Sequence, residues 1–288
     1  MKPVYKIMFF VSVALTLASI LVVLFYGLNF GVDFRGGSIV EVEFKINKPE
    51  LADIKKVFGN TDFNLNNFGE KGLIIKTKEL SETEHQELVG KLTNAYGQEN
   101  VEEKRFESVG PIIGQELKRK SITAIGMVLL AIVLYIAFVF RKLARTLPPW
   151  AMGVSALIAL AHDVFIPLGV FAVLGKFYGI EITAIFVAAI LTILGYSVSD
   201  TVVVFDRIRE NVTKGSKESF PDTVHKSVMQ TLTRSLNTTM TTLLSLLAIY
   251  FFGGESIKYF SLMLIIGIFS GAYSSIFVAS PLLIWLRK

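Results

Sequence analysis

ITAIFVAAILTILGYSVSDTVVVF, residues 182–205, carries a single charge, Asp200. At about 1.5 Å per residue a helix of this length exceeds the roughly 30 Å hydrocarbon core of a bilayer. A carboxylate inside such a helix costs on the order of 3 kcal/mol at the membrane centre and less toward either end, so its default reading is functional. The next apolar run, Ser235 to Phe252, begins directly after Arg234 and returns in the opposite direction. Asp200 lies eighteen residues from Ile182, and Arg234 eighteen from Phe252, which puts both about 27 Å from the same membrane face. The two are expected to meet, in the half of the membrane nearer the loop that joins their helices.

The rest of the chain agrees with a membrane class. Of 288 residues, 52% are hydrophobic and only 18% charged, and the mean hydropathy is +0.56, too apolar for a soluble domain. Windows of about 20 residues give six spans: Ile7 to Tyr26, Ser121 to Phe140, Trp150 to Leu174, Ile182 to Phe205, Ser235 to Phe252 and Tyr259 to Leu286. None alternates with period two, which excludes barrel strands; the fold class is an α-helical polytopic membrane protein. The first span lacks a cleavage site at plausible spacing and is read as a retained anchor. With no cysteine, nothing depends on disulfides.

Basic residues set the orientation, because cytoplasmic loops retain Lys and Arg. Lys2 and Lys6 precede span one. Arg141, Lys142 and Arg145 follow span two, Arg207, Arg209, Lys214, Lys217 and Lys226 lie between spans four and five, and Arg287 and Lys288 come last. All fall on one side, which places both termini in the cytoplasm. Lys118, Arg119 and Lys120 break the pattern, but a large translocated segment precedes them.

That segment, residues 31–117, holds 11 basic and 16 acidic side chains, a net of −5. It is large enough for a small core of its own. Alternation over Ser38 to Ile46 reads as a strand. Pro49 opens a helix to Phe58, Asp62 to Phe68 and Leu73 to Lys78 read as strands, Ser81 with Glu84 forms a capping box for a helix ending near Tyr96, and Val101 to Val109 is a last strand. The order βαββαβ is the ferredoxin-like split arrangement. His85 falls on a polar helix surface and is expected to be solvated. The division is therefore 1–30 as the first transmembrane helix, 31–117 as an extracytoplasmic domain, and 118–288 as a five-helix membrane domain with a cytoplasmic loop at 206–234.

Gly31, Asp33, Gly36 and Gly37 in GVDFRGG join the first span to the outer domain, either as a turn that uses glycine at positive φ or as a hinge through which membrane helices steer that domain. His162 and Asp163 sit mid-span. Adjacent on a helix, they point about 100° apart and are not expected to face one partner; a relay role and a polar packing role stand equal, the histidine's ordinary pKa near 6.5 making a proton role available. Asp206, Arg207, Arg209 and Glu210 mark the cytoplasmic end of span four, with helix expected to Asn211. A short amphipathic helix from Pro221 is expected to end before Arg234. Ala184, Ala188, Thr192 and Gly195, with Gly267 and Gly271, let helix backbones approach closely. No metal-ligand set, no GxxxxGK[ST] loop and nothing that marks a nucleic-acid partner is present.

GVDFRGG at 31–37, Val109-Gly110-Pro111, Ala161-His162-Asp163, GYSVSDTVVVFDRIREN at 195–211 and QTLTRS at 230–235 together resemble the SecF family of subunits of the bacterial Sec protein translocase. Arg35 stands where a small hydroxylic residue is expected, and Ser199 where asparagine is common. The resemblance implies a SecD-like partner subunit, association with the SecYEG channel, a translocating preprotein, and use of the proton motive force in the cytoplasmic (inner) membrane, within membrane lipid. It also implies kinship with resistance-nodulation-division exporters. Asp200 would then be neutral or charged according to whether Arg234 or a carboxylate of the partner is close, and motion separating them would capture or release a proton. No cofactor beyond the coupling proton is expected, and no nucleotide hydrolysis. Permanent pairing that only holds two helices together is the weaker reading, because desolvation consumes much of a buried pair's Coulomb gain. The alternatives are half of a proton-coupled small-molecule or lipid exporter, and a passive assembly scaffold.

Overall fold

The computed structural model describes residues 2–59, 63–140, 148–215 and 218–287. The chain divides into two compact units, Met1–Asn29 with Ile122–Lys288, and Phe30–Ser121. Arg141, Lys142, Arg145, Lys217, Lys288 and Asp62, all used above, lie outside the described residues.

Six helices among the described residues are long and apolar enough to cross a membrane. They are α1 (Pro3–Tyr26), α5 (Pro111–Val139), α6 (Pro149–Tyr178), α7 (Ala184–Thr213), α8 (Phe220–Phe252), and a sixth made of α9 (Glu255–Ser274), a π-helical turn at Ser275–Ala279 and α10 (Ser280–Leu286). In the membrane unit α9 packs against α6, α7 and α8, and α1 lies on α6 and on the π turn. The π turn has a local cause. Pro281 has no N–H to offer the Phe277 carbonyl four residues back, so the ladder widens there, and Ser280 Oγ donates to the Ser275 carbonyl at 2.9 Å.

One expectation fails in this unit. The segment from Pro221 and span five are a single 33-residue helix, with no break before Arg234. Nothing in SVMQTLTRSLNTT ends a helix, since it contains neither glycine nor proline; Ser and Thr side chains turn onto carbonyls one turn back, as Thr231 and Thr238 do.

The second unit, named the outer unit after the orientation expected from the basic loops, contains α2 (Val32–Arg35), β1 (Gly37–Phe44), α3 (Leu51–Phe58), β2 (Asn64–Phe68), β3 (Gly72–Thr77), α4 (Glu82–Tyr96) and β4 (Val101–Val109). The four strands form one antiparallel sheet in the order β2-β3-β1-β4. From β1 onward the elements follow the βαββαβ order read from the sequence. Val40, Val42 and Phe44 of β1 point into a core shared with Ile54 and Phe58 of α3, Leu73 and Ile75 of β3, and Leu88 and Leu92 of α4, while Glu41 and Glu43 take the other face. The capping box is present: Ser81 Oγ accepts from Glu84 N, and Ser81 N donates to Glu84 Oε2. Pro49 does not open α3. The helix starts at Leu51 behind an extended Glu50, whose carbonyl takes the first turn's N–H groups. His85 is buried, not solvated: its ring stacks on Phe106 at 3.7 Å, and Nε2 meets Glu103 at 3.0 Å. The residues around it on α4 are polar, so the missing signal lay on the strand it packs against.

Residues 30–121 expressed alone are expected to give a soluble, mixed α/β fold, because this core closes within the unit. Dispersed amide NMR spectra and far-UV dichroism check this; the spectrum of a disordered chain would contradict it.

Candidate functional site

GVDFRGG builds a compact turn within the outer unit. Residues 32–35 make one helical turn, and Gly36 follows at φ 80° and ψ 158°, a conformation essentially restricted to glycine. A Cβ on Gly36 would lie 2.7 Å from Pro111 Cα, and one on Gly37, at φ 132°, 2.7 Å from the Thr77 carbonyl oxygen. On the other side, a Cβ on Gly114 would lie 3.1 Å from the Phe34 carbonyl. Glycines here let the chain leaving the first span press against the start of α5 and the end of β3. Asp33 opens the helical turn, where its charge suits the N-terminus.

The membrane unit holds a buried polar seam. On α7, Ser197, Asp200 and Thr201 share one face by their spacing of three and four residues, and all three are buried. Asp163 of α6 is 0% exposed and His162 is 3% exposed. Ser197 Oγ donates to Asp163 Oδ2 at 2.5 Å, Ser274 Oγ donates to the same oxygen at 2.7 Å, and His162 Nδ1 lies 2.8 Å from Asp163 Oδ1. Ser270 Oγ is 3.3 Å from His162 Nδ1, and Thr201 Oγ1 is 3.0 Å from Ser275 Oγ. His162 and Asp163 therefore both face α9, through Ser270 and Ser274, contrary to the expectation from their angular separation. The imidazole is long enough to fold back over the helix and reach the neighbouring carboxylate. Pro167, four residues after Asp163, withholds the N–H that would bond the Asp163 carbonyl.

Asp200, 9% exposed, takes a different partner from the one expected. Its Oδ1 accepts from Ser235 Oγ of α8 at 2.5 Å. Arg234 lines the same cavity of about 220 Å³ as Asp200, together with Tyr196, Ser199, Val203, Ser235 and Thr238. Yet among the described residues its guanidinium has no ion pair, and the residue is exposed on this unit's surface. Neighbours on a helix diverge by about 100°, so turning Ser235 toward α7 turns Arg234 outward. Arg234 also lines a second, open cavity of about 520 Å³ with Asp206, Arg207, Glu210 and Gln230. There Arg207 bonds Gln230 and Glu210, and Arg209 pairs with Asp206 at 2.8 Å. The charged end of α7 thus borders a polar cavity that shares Arg234 and Val203 with the one at Asp200.

Three buried polar atoms have no partner among the described residues of this unit: Asp200 Oδ2, His162 Nε2 and Ser155 Oγ. In an apolar interior such an atom costs about 1–3 kcal/mol, which makes each one notable.

Close helix approach is found at Gly267 and Gly271 of α9. A Cβ on Gly271 would lie 3.0 Å from Ser197 Cβ, and one on Gly267 would overlap the Ile193 side chain. Gly195 has open space where a Cβ would stand, so close packing does not require it. Sequence reading missed the hydroxyls that hold the two carboxylates. Ser197 stands three residues before Asp200, and Ser270 and Ser274 lie one turn apart in the last span, a pattern visible in the chain but with no carboxylate assigned to it.

Two family patterns match: the C-terminal region of the SecD/SecF protein export membrane proteins over residues 88–288, and the SecD/SecF GG motif over residues 22–45. The protein translocase subunit SecF of Thermobaculum terrenum is 42% identical over 297 aligned residues, covering 97% of this chain and 92% of that one. That of Vibrio alginolyticus is 39% identical over 96% of this chain and 86% of its own. Among solved structures, SecDF of Thermus thermophilus, a translocon-associated membrane protein, superposes with a TM-score of 0.83 at 33% identity. SecDF in a super-membrane-facing form gives 0.70 at 32% identity. All of this chain aligns with the first of these and spans 39% of it. The GG motif falls on the glycine turn and the larger pattern on the seam around Asp163 and Asp200, and on these grounds the chain belongs to the SecF family of protein-export membrane proteins.

Proposed function

We propose that this SecF-type subunit works in the bacterial inner membrane beside a SecD-like subunit and the SecYEG channel, using the proton motive force to drive or complete export of preproteins. The observation that carries the proposal is Asp200: a carboxylate inside the bundle, held through one oxygen by Ser235 and, among the described residues, with no partner on the other oxygen, in a cavity it shares with Arg234, which has no ion pair among those residues. Asp200 is the proton-carrying group. Arg234 is its electrostatic switch, near enough to turn in toward Asp200 and exposed enough to serve a carboxylate of the partner subunit. Movement of α8 against α7 changes which of these the carboxylate meets, and with it the free-energy difference between its protonated and ionised forms. Membrane lipid surrounds the remaining helix faces.

Arg234→Met tests the switch. Met keeps the unbranched apolar stem of the side chain and deletes the charge, so the complex is expected to assemble and to lose gradient-dependent export. Full gradient stimulation in that variant would remove Arg234 from the mechanism. Copurification from native membranes with peptide identification tests the partners: a SecD-like subunit is expected, and recovery of a drug- or lipid-export assembly without any translocon component would favour the exporter reading.

The topology follows from the basic loops. Reporter fusions at Gly90 are expected to be active outside the cytoplasm and fusions at Gly215 within it. Cytoplasmic activity at Gly90 would invert the arrangement and separate the outer unit from the exported chain.

A further inference from the structure

The geometry points to His162 as a second proton-binding group of the membrane bundle, taking its proton at Nε2, with Asp163 as the positioning residue that fixes the ring and balances the charge. This rests on the reading of the subunit as proton-driven, and it adds a site separate from Asp200 and Arg234. Asp163 Oδ2 accepts from two hydroxyls on two different helices, Ser197 and Ser274, and Oδ1 faces His162 Nδ1 at 2.8 Å. A carboxylate is acceptor-only when ionised, so three donors suit its charged form. With Nδ1–H committed to Asp163, the lone pair of the neutral ring stands on Nε2. That atom is buried, and no described residue donates to it.

The charge balance favours uptake there. Ionised Asp163 with neutral His162 carries one buried negative charge; a proton added at Nε2 makes the imidazolium and brings the pair to zero, and release at Nε2 restores the starting state. No other bond changes. Among the described residues the groups bonded or stacked at this pair bring no competing cation: Asp200 of α7 lies one turn beyond Ser197, Tyr273 of α9 stacks beside the imidazole at 6.1 Å and 17°, and Ser270 approaches Nδ1. From α1, Ser12 Oγ donates to the Tyr273 hydroxyl, which donates to the Met8 carbonyl. Ser155, seven residues before His162 on the same face of α6 and about 10 Å away along the axis, is 0% exposed with its hydroxyl unpartnered. It continues the polar file toward the helix end nearer residue 149.

The chain has three histidines. His85 belongs to the outer unit, and His225 bonds Lys2 and Tyr5 at one end of the bundle. In the full complex in lipid, with this subunit alone ¹⁵N-histidine-labelled and carrying His85→Gln and His225→Gln, NMR then reports His162 alone; the difference spectrum between wild type and His162→Asn gives the same signal if the double variant fails to assemble. The expected result is a neutral ring protonated at Nδ1 at alkaline pH, converting to imidazolium as the pH falls, with Asp163→Asn losing the single tautomer. In reconstituted vesicles His162→Asn, which retains an N–H for Asp163, is expected to lose the acid limb of gradient-stimulated export. A ring that stays neutral over the whole range in which the complex is folded, or an unchanged pH profile in His162→Asn, would overturn the inference and leave the pair as helix packing. If Asp200→Asn loses gradient stimulation while His162 is silent, only this inference fails. If Asp200→Asn keeps it, the proton-driven reading itself fails, whatever His162 does.

Discussion

Asp200→Asn is expected to insert, to assemble with its partner at the normal level, and to abolish the gradient-dependent part of protein export. Asparagine keeps the size of the side chain and a carbonyl oxygen that can still accept from Ser235 Oγ, the bond made at 2.5 Å in the parent. Helix packing around α7 and α8 therefore has little reason to change. What disappears is the ability to exchange a proton, so the loss separates a titrating role from a structural one. Immunoprecipitation of the complex reports assembly, and secretion of a reporter preprotein reports export. Unimpaired secretion beside normal assembly would assign the buried charges to subunit pairing, the scaffold reading.

Gly36→Val should strongly destabilise the outer unit. Gly36 occupies φ 80° and ψ 158°, a region that costs a residue with a Cβ on the order of 1–3 kcal/mol. The new Cβ would also stand 2.7 Å from Pro111 Cα and 2.8 Å from Pro111 N, backbone atoms that cannot rotate aside, and overpacking of this kind adds about 1–3 kcal/mol. A domain of this size has roughly 5–14 kcal/mol of stability in all. The melting temperature of residues 30–121 is expected to fall by about 10 °C or more, and a change within about 3 °C would show that the turn yields. In the whole chain the same substitution is expected to make residues near Gly36 accessible to protease.

How much of this was legible in the chain depended on the kind of signal. The six apolar runs fixed the spans, because length and composition alone decide whether a helix can cross lipid. Ser81 and Glu84 announced their helix through a local bond pattern that needs no tertiary context, and Val40, Val42 and Phe44 announced a half-buried strand by period two. Readings that depended on what lies opposite went astray. Burial of His85 required the stack on Phe106 and contact with Glu103, partners from a strand 18 residues or more away in sequence. Arg234 and Asp200 line one cavity, but position along a helix does not give azimuth: Ser235 faces α7, and that turns Arg234 away. For His162 and Asp163 the helical wheel gave the Cβ directions and ignored the reach of the imidazole. The two prolines carried unused information, since Pro167 and Pro281 remove N–H groups from the helix ladder beside the seam and at the π turn.

Export by this subunit is proposed to be coupled to a proton taken up at Asp200. The most direct test of that coupling is proton flux and preprotein translocation, measured together in vesicles reconstituted with the complete translocase, with and without an imposed proton gradient, for the parent and for Asp200→Asn. The gradient is expected to accelerate translocation and to drive proton flux in the parent, and to do neither above background in Asp200→Asn. Equal gradient stimulation in the two would contradict it.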